Sequence, residues 1–543
     1  MAIGKPVKCL GGGMNLLQKS TSHRNIIICL TVLLFISLLG EPVSSASPRV
    51  QLGNEVLLSK YRHLLAGKRV GLVTNQTGVD GLGRSLIDIL FYDKDINLRA
   101  LYGPEHGIDG KAAAGEYVPS YIHEEYHLPV YSLYGATRMP TPEMLAPIDV
   151  LLFDIQDIGA RTYTYMSTLN YCLVAAQRCG KRVIVLDRPN PVGGTIVEGP
   201  VMEDRFISFV GVDNLPMAHG MTAGELAVFF NRKIGADLVV IPMKGYTRDM
   251  TFLDTGLPFV QTSPNIPDLT SALCYMATGL GEGTGVGQRD QFKWVGGNGI
   301  DSERFAHLLN NSGLEGVKYI PAPRGNAGGV RLEITDPRTF NPARSGFYAL
   351  AYAKQLKKDF KIPKSGTRLV MFDKIMGTDK IGLYLEQNLD PQEIEKRYQP
   401  QLERFKEERE KYLLYAPSSP EKGQGKKQVA IYVDGIPIIF DVAPYINSAG
   451  RTMVPVRFIA ETLGADVSWD GLGRKVYISR GDREIILTID QRGALVNNKA
   501  YLMDTTAVIN NGRTMVPLRY LGELLGVGVK WQEELWRVDV YRE

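Results

Sequence analysis

From Arg69 onward, two rhythms of apolar residues alternate along the chain. Four short runs, R-V-G-L-V-T-N (69–75), I-N-L-R-A-L-Y (96–102), I-D-V-L-L-F-D-I (148–155) and R-V-I-V-L-D-R (182–188), have the nearly continuous apolar character of strands buried in a parallel sheet. Between them lie segments such as Tyr163 to Cys179, whose apolar residues recur at helical spacing. This alternation predicts an α/β fold, a doubly wound, Rossmann-like sheet over residues 50–205. Polar residues collect where the strands end, at Asn75, Glu105, Asp154 and Asp187, the edge at which such sheets bind ligands. No G-x-G-x-x-G follows the first strand, so a dinucleotide is not expected.

A second α/β section is expected over 206–415, completing a cleft with the first. It includes the helix T-A-G-E-L-A-V-F-F-N (222–231), the strand D-L-V-V-I-P (237–242) and a charged terminal helix, Asp390 to Tyr415, whose charges suit a solvated face. Residues 416–427, A-P-S-S-P-E-K-G-Q-G-K-K, lose all periodicity and read as a linker. The remainder, 428–543, holds an internal repeat. G-R-T-M-V-P-V-R-F-I-A-E-T-L-G-A-D-V-S-W (450–469) matches G-R-T-M-V-P-L-R-Y-L-G-E-L-L-G-V-G-V-K-W (512–531) at an offset of 62. That period fits a small α+β unit that buries its apolar face against its twin.

At 543 residues the chain needs two or three domains, and 44% hydrophobic with 22% charged residues describes a globular protein. A net charge of +4 over this length gives no reason to expect nucleic acid. Lys5, Lys8, Lys19 and Arg24 precede the apolar run Ile26 to Leu39, and V-S-S-A-S follows, so residues 1–46 read as a signal peptide cleaved after Ala46. An uncleaved anchor is the alternative, and no other stretch is apolar for long enough to span a bilayer. Of five cysteines, two lie in that leader. Cys172 and Cys179 stand about 10 Å apart along a helix, too far to bridge, and Cys274 is left over, so buried thiols are expected rather than disulfides.

Chemistry concentrates at L-Y-G-P-E-H-G-I-D-G (101–110). A strand ends, Gly103-Pro104 breaks the chain, and Glu105 and His106 follow at once on a stiff turn. A surface loop needs neither group, whereas general acid–base catalysis needs a fixed carboxyl. No H-E-x-x-H and no tight ligand spacing support a metal, and no G-x-S-x-G supports a serine nucleophile. Neither metal nor cofactor is expected.

Several ordered blocks extend this reading. G-K-R-V-G-L-V-T-N-Q-T-G-V (67–79), G-P-E-H-G (103–107), P-V-Y-S-L-Y-G (129–135), F-D-I-Q-D-I-G-A-R-T-Y-T-Y (153–165), L-D-R-P-N-P (186–191), H-G-M-T-A-G-E-L-A (219–227), S-P-N-I-P (263–267) and F-D-K-I-M-G-T-D (372–379) resemble the bacterial exo-β-N-acetylmuramidases. These are secreted glycosidases that remove N-acetylmuramic acid (MurNAc) from the non-reducing end of peptidoglycan fragments. The terminal repeat resembles the stalk domain named after the amino terminus of copper amine oxidases. All seven histidines lie at or before His307, so the repeat has no imidazole for copper and a spacer or wall-adhesion role is implied instead. One block departs from the family's E-G-T-N and G-R-G-T pattern: here it is G-E-G-T-G-V-G-Q-R-D-Q-F-K-W-V-G-G-N-G (281–299), which bears on substrate preference.

The resemblance implies a secreted, cell-wall-associated exo-glycosidase acting on MurNAc, with Glu105 as acid/base and the repeat holding it near the wall. The rivals are a glycosidase of the same fold for another amino sugar and a non-catalytic wall-binding protein. His106 binds substrate, tunes Glu105, or only braces its loop. Asp154, Asp157 and Glu282 are candidates for the second carboxylate, unless the substrate's own 2-acetamido group attacks. Arg161 and Arg188 either grip the lactyl carboxylate of MurNAc or form ion pairs with Asp154, Asp157 or Asp187. Tyr163 and Tyr165 are candidates for stacking on a sugar ring, one of them facing the pocket. Asn75, Asn190 and Asn265 suit hydrogen bonds to the sugar or fix turns, and His219 is either a ligand or structural.

Overall fold

The computed structural model describes residues 50–357, 359–418, 429–433, 436–438, 440, 442–532 and 537–542. The expected leader and most of the expected linker lie outside them. Among the described residues no helix is long and apolar enough to cross a membrane.

The apolar runs form the expected sheet. β1 (Arg69–Thr74), β2 (Asn97–Gly103), β3 (Tyr121–Ile122), β4 (Pro129–Ser132), β5 (Val150–Asp154), β6 (Arg182–Leu186) and β7 (Leu238–Ile241) lie in the order β3-β4-β2-β1-β5-β6-β7. Every pairing is parallel except β3 with β4. The apolar runs are continuous because both faces are covered. In β5, Val150 and Leu152 pack with the helices Gly53–Lys60 and Leu86–Phe91 on one face. Leu151 and Phe153 pack with the helices Tyr165–Cys179 and Ala223–Ile234 on the other, following the period of two along a strand. The strand order reverses between β1 and β5, which makes the carboxyl edge there the place for a ligand.

The sheet section extends beyond the expected boundary at residue 205. Leu238–Ile241 pairs with β6 and so belongs to the first sheet, not the second section. Its helix begins at a capping box: Thr222 Oγ1 accepts from Glu225 N (3.2 Å) and Glu225 Oε2 from Thr222 N (3.0 Å). Gly235, in the left-handed region, stops it and turns the chain into β7. A four-residue apolar run reads alike in either section; only the pairing assigns it.

The second section is built on an antiparallel sheet, β8 (Gly287–Arg289), β9 (Trp294–Asn298), β10 (Val317–Pro321) and β11 (Ala327–Ile334), in the order β10-β11-β9-β8. Its helices share one continuous core with the first sheet's Tyr165–Cys179 face. The charged helix runs over Pro391–Arg409, and Ile394, Tyr398, Leu402 and Phe405 give it a buried stripe. Cys172, Cys179 and Cys274 are free thiols.

In the repeat the two copies interlock. Thr452–Pro455 pairs antiparallel with Arg513–Pro517, with Val454 opposite its own counterpart Val516 on a local pseudo-twofold axis. One four-stranded sheet joins strands Ile436–Ile438 and Ala430–Val433 of the first copy to Arg537–Tyr541 and Gly528–Gln532 of the second. The five-stranded sheet joins both copies through the bridging strand Arg483–Thr488. The repeat docks at the amino edge of the first sheet, where Arg182, the first residue of β6, pairs with Glu461 at 3.1 Å. Because each copy completes the other, Val454→Asp, which buries an unpaired charge on the axis, is expected to cost more than about 3 kcal/mol. Limited proteolysis should then show both copies losing protection together; a copy that stays protected alone would contradict the interlocking.

Candidate functional site

Four turns meet at the carboxyl edge, and each is fixed by buried hydrogen bonds. After β2, the Gly107 N–H donates to Pro104 O (3.0 Å), and His106 and Gly107 take consecutive left-handed conformations at φ 74° and 79°. Glu105 lies between them and the strand, 8% exposed. Its Oε1 accepts from Gly115 N (3.0 Å) and its Oε2 from Thr164 Oγ1 (2.5 Å). Thr164 is the residue before the helix Tyr165–Cys179, so the carboxyl sits at that helix's N-terminus. His106 Nδ1 donates to Ala112 O (2.7 Å), bracing the same loop.

After β1, Asn75 Oδ1 accepts from Thr77 N (2.9 Å) and Thr77 Oγ1 (2.5 Å). Asn75 Nδ2 is buried without a partner among the described residues, a donor of the kind a ligand would satisfy. After β5, Asp157 Oδ2 accepts from Gly159 N (2.8 Å) and lies 3.4 Å from His219 Nε2, while its Oδ1 is buried and unpartnered. His219 Nδ1 accepts from Met221 N (3.2 Å), so its proton sits on Nε2, toward Asp157.

Other candidates hold the edge together. Asp154 and Arg188 form a buried bidentate ion pair, Nε to Oδ1 at 2.6 Å and Nη2 to Oδ2 at 2.9 Å. Of the two readings of Arg188, this geometry favours the ion pair, and it leaves Asp154 no free charge for chemistry. Arg161 pairs with no carboxylate among the described residues: it donates to the carbonyls of Pro200 (3.1 Å), Leu215 (2.7 Å) and Ile375 (2.5 Å). Burial pushes its pKa down to about 9. Asn190 fixes its turn, accepting from Val192 N (2.9 Å) and donating to Met221 O (3.1 Å). Asp187 accepts from Tyr415 Oη (2.6 Å), Gly224 N (2.7 Å) and Thr222 Oγ1 (2.8 Å), and burial raises its pKa to about 7.

Tyr163 and Tyr165 are both buried and both donate to Thr262, so neither offers an open ring to a sugar. Burial raises both phenols. Asn265 is exposed at the tip of the turn that follows Thr262, and Glu282 is exposed in the loop beside Pro363. No contact of either with the Glu105 cluster is seen among the described residues.

Sequence reasoning missed Thr164, Gly115 and Tyr275. Tyr275 meets Thr162 at 3.3 Å, and its phenol is raised by burial and then by the charges of Glu105 and Asp157. Nothing in the local sequence singles these residues out; the folding of distant segments onto one edge does. Among the described residues no group of three or more His, Cys, Asp or Glu side chains is placed to hold a metal.

The chain is 43% identical over 388 residues to the peptidoglycan β-N-acetylmuramidase NamZ of Bacillus subtilis strain 168, covering 68% of this chain and 93% of that one. The chain belongs to the exo-β-N-acetylmuramidase NamZ family. The family's N-terminal profile matches residues 70–270 and its C-terminal profile 273–415, so the family division falls after β7, as the sheet does. The copper amine oxidase N-terminal domain profile matches 432–540. Two solved DUF1343 family proteins of Bacteroides fragilis share the fold, each covering 68% of this chain and 99% of its own. One is 38% identical with a TM-score of 0.62, the other 26% identical with a TM-score of 0.52.

The block 281–299 that departs from the family pattern reaches this edge. Asp290, Gln291 and Phe292 are consecutive left-handed residues, and Phe292 packs on Tyr275 with ring centroids 4.8 Å apart. The ion pair at the edge gives a direct test. Arg188→Ala leaves Asp154 charged and buried, and is expected to lower unfolding free energy by about 3–5 kcal/mol in denaturant titration. A loss below about 1 kcal/mol would show that the pair does not hold the edge.

Proposed function

We propose that the chain is a secreted exo-β-N-acetylmuramidase, hydrolysing terminal non-reducing MurNAc from peptidoglycan fragments with Glu105 as general acid and base. Membership of the family makes the chain a glycoside hydrolase, and the Bacillus relative is named for action on peptidoglycan. The observation that carries the residue assignment is the seating of Glu105. One carboxyl, almost enclosed, is held on both oxygens at the carboxyl edge beside the strand-order switch.

In this reading Glu105 protonates the glycosidic oxygen as its bond to the anomeric carbon breaks, then takes a proton from the incoming water. Asp157 is the second carboxylate, assisting attack at the anomeric carbon. It is buried and has an unpartnered oxygen, whereas Asp154 is neutralised by Arg188. His219, whose Nε2 lies 3.4 Å from Asp157 Oδ2, positions it. Asn75 Nδ2 supplies a donor to the sugar. The leader directs the enzyme out of the cell, and the terminal repeat keeps it near the wall.

Glu105→Gln is expected to reduce release from a chromogenic MurNAc β-glycoside roughly 100- to 10,000-fold while the melting temperature stays within about 2 °C. Asp157→Asn should show a loss of the same class. Unimpaired release by Glu105→Gln would remove it as the acid. A wild-type preference for the GlcNAc glycoside would replace MurNAc with another amino sugar, the outcome that the changed 281–299 block would then explain.

A further inference from the structure

We propose that Arg138 reads the carboxylate of the terminal sugar, with Tyr134 and Phe209 as the aromatic wall on one side of its guanidinium. The proposal rests on the reading of Glu105 and MurNAc just given. MurNAc differs from GlcNAc only in its 3-O-lactyl ether, so an enzyme that selects it needs a cation beside the acid. The two arginines of the motif blocks are already engaged, Arg188 with Asp154 and Arg161 with three carbonyls, and Arg161 keeps a single buried Nε without a partner among the described residues rather than a paired fork.

Arg138 has the opposite character. It is exposed, and among the described residues it forms no ion pair. Its guanidinium carbon lies 4.6 Å from the centroid of the Tyr134 ring and 4.8 Å from that of Phe209. The two rings are 5.8 Å apart, and Phe209 is backed in turn by Tyr171 at 5.4 Å. With the rings this close together, both lie on the same side of the guanidinium, and its opposite side is left open to a carboxylate.

The loop carrying these residues is tied to Glu105. Val118 N donates to Tyr134 O (3.2 Å), and the same 115–118 segment supplies the Gly115 N–H that holds Glu105. Burial and then the Glu105 charge raise the Tyr134 phenol, while a hydrogen bond from Arg138 lowers it. Thr137 Oγ1 donates to Met139 O (2.7 Å) and accepts from Met139 N (3.1 Å), closing a stiff turn around Arg138. The lactyl ether stands two ring carbons from the anomeric centre. A sugar whose glycosidic oxygen meets Glu105 therefore brings its carboxylate toward a neighbouring cation rather than a distant one.

The test compares kcat/KM for chromogenic β-glycosides of MurNAc, of its lactyl methyl ester and of GlcNAc, in wild type, Arg138→Ala and Arg138→Lys. The wild type should prefer the free acid over the ester. Arg138→Ala should lower the MurNAc-to-GlcNAc ratio roughly 10- to 100-fold, mostly through KM, and erase the preference for acid over ester. Arg138→Lys should restore part of the ratio, since it keeps the charge and loses the fork. A ratio unmoved by Arg138→Ala, or equal losses on all three substrates, overturns the proposal. Calorimetry of free MurNAc and GlcNAc on Glu105→Gln and on Glu105→Gln/Arg138→Ala separates the two assignments. If Glu105→Gln still turns over substrate, the acid is misassigned, yet the binding ratio decides Arg138 all the same.

Discussion

A single ion pair organises the carboxyl edge of the sheet. Asp154 ends β5 and Arg188 follows β6, and their bidentate contact is almost wholly shielded from solvent. Charges so placed are tolerable only when every polar atom is answered. Asn54, at the start of the first helix, donates to Asp154 Oδ2 (3.1 Å) and to Val79 O (2.9 Å), and Arg188 Nη2 donates to that same carbonyl (2.6 Å). The turns after β1, β5 and β6 and the first helix are thus fixed relative to one another. Thr77 extends the network: it donates to Asn75 and accepts from Gln156 N (2.9 Å). The carboxyl edge thus has a rigid floor of buried, mutually hydrogen-bonded charges.

The walls come from farther along the chain. Thr262 receives both Tyr163 and Tyr165, and Arg161 ties the loop after β5 to carbonyls at 200, 215 and 375. At the end of the second section, Leu414 N donates to Glu225 Oε1 (2.8 Å) and Tyr415 Oη to Asp187. Glu225 is in turn paired with Arg248, so the return of the chain is sealed by buried charge as well. The second section is therefore a buttress of the first sheet's edge, joined to it through a continuous core.

What could be read from sequence follows from this construction. The buried parallel strands were legible because both faces are covered, which leaves apolar runs without a polar face. Glu105, Asp157 and Asn75 were legible because they sit directly where strands stop. Arg188 and Asp154 were visible as charges at strand ends, but a charge pattern does not say whether its partner is a ligand or a neighbour. On sequence alone β7 falls in the wrong section, because four apolar residues carry no record of the strand they pair with. Thr164, Tyr275 and Arg138 were invisible for a related reason. Each acquires its neighbours from segments far away in sequence: Arg138 meets Phe209 only once the loops after β4 and β6 are brought together.

The position of the repeat has a mechanical consequence. It is attached through Arg182 and Glu461 at the amino edge of the sheet, whereas Glu105 lies at the carboxyl edge. A six-residue strand such as β1 separates the two edges by roughly 20 Å. Repeat and Glu105 are thus at opposite ends of the same plate, so whatever enters at the carboxyl edge does so clear of the repeat.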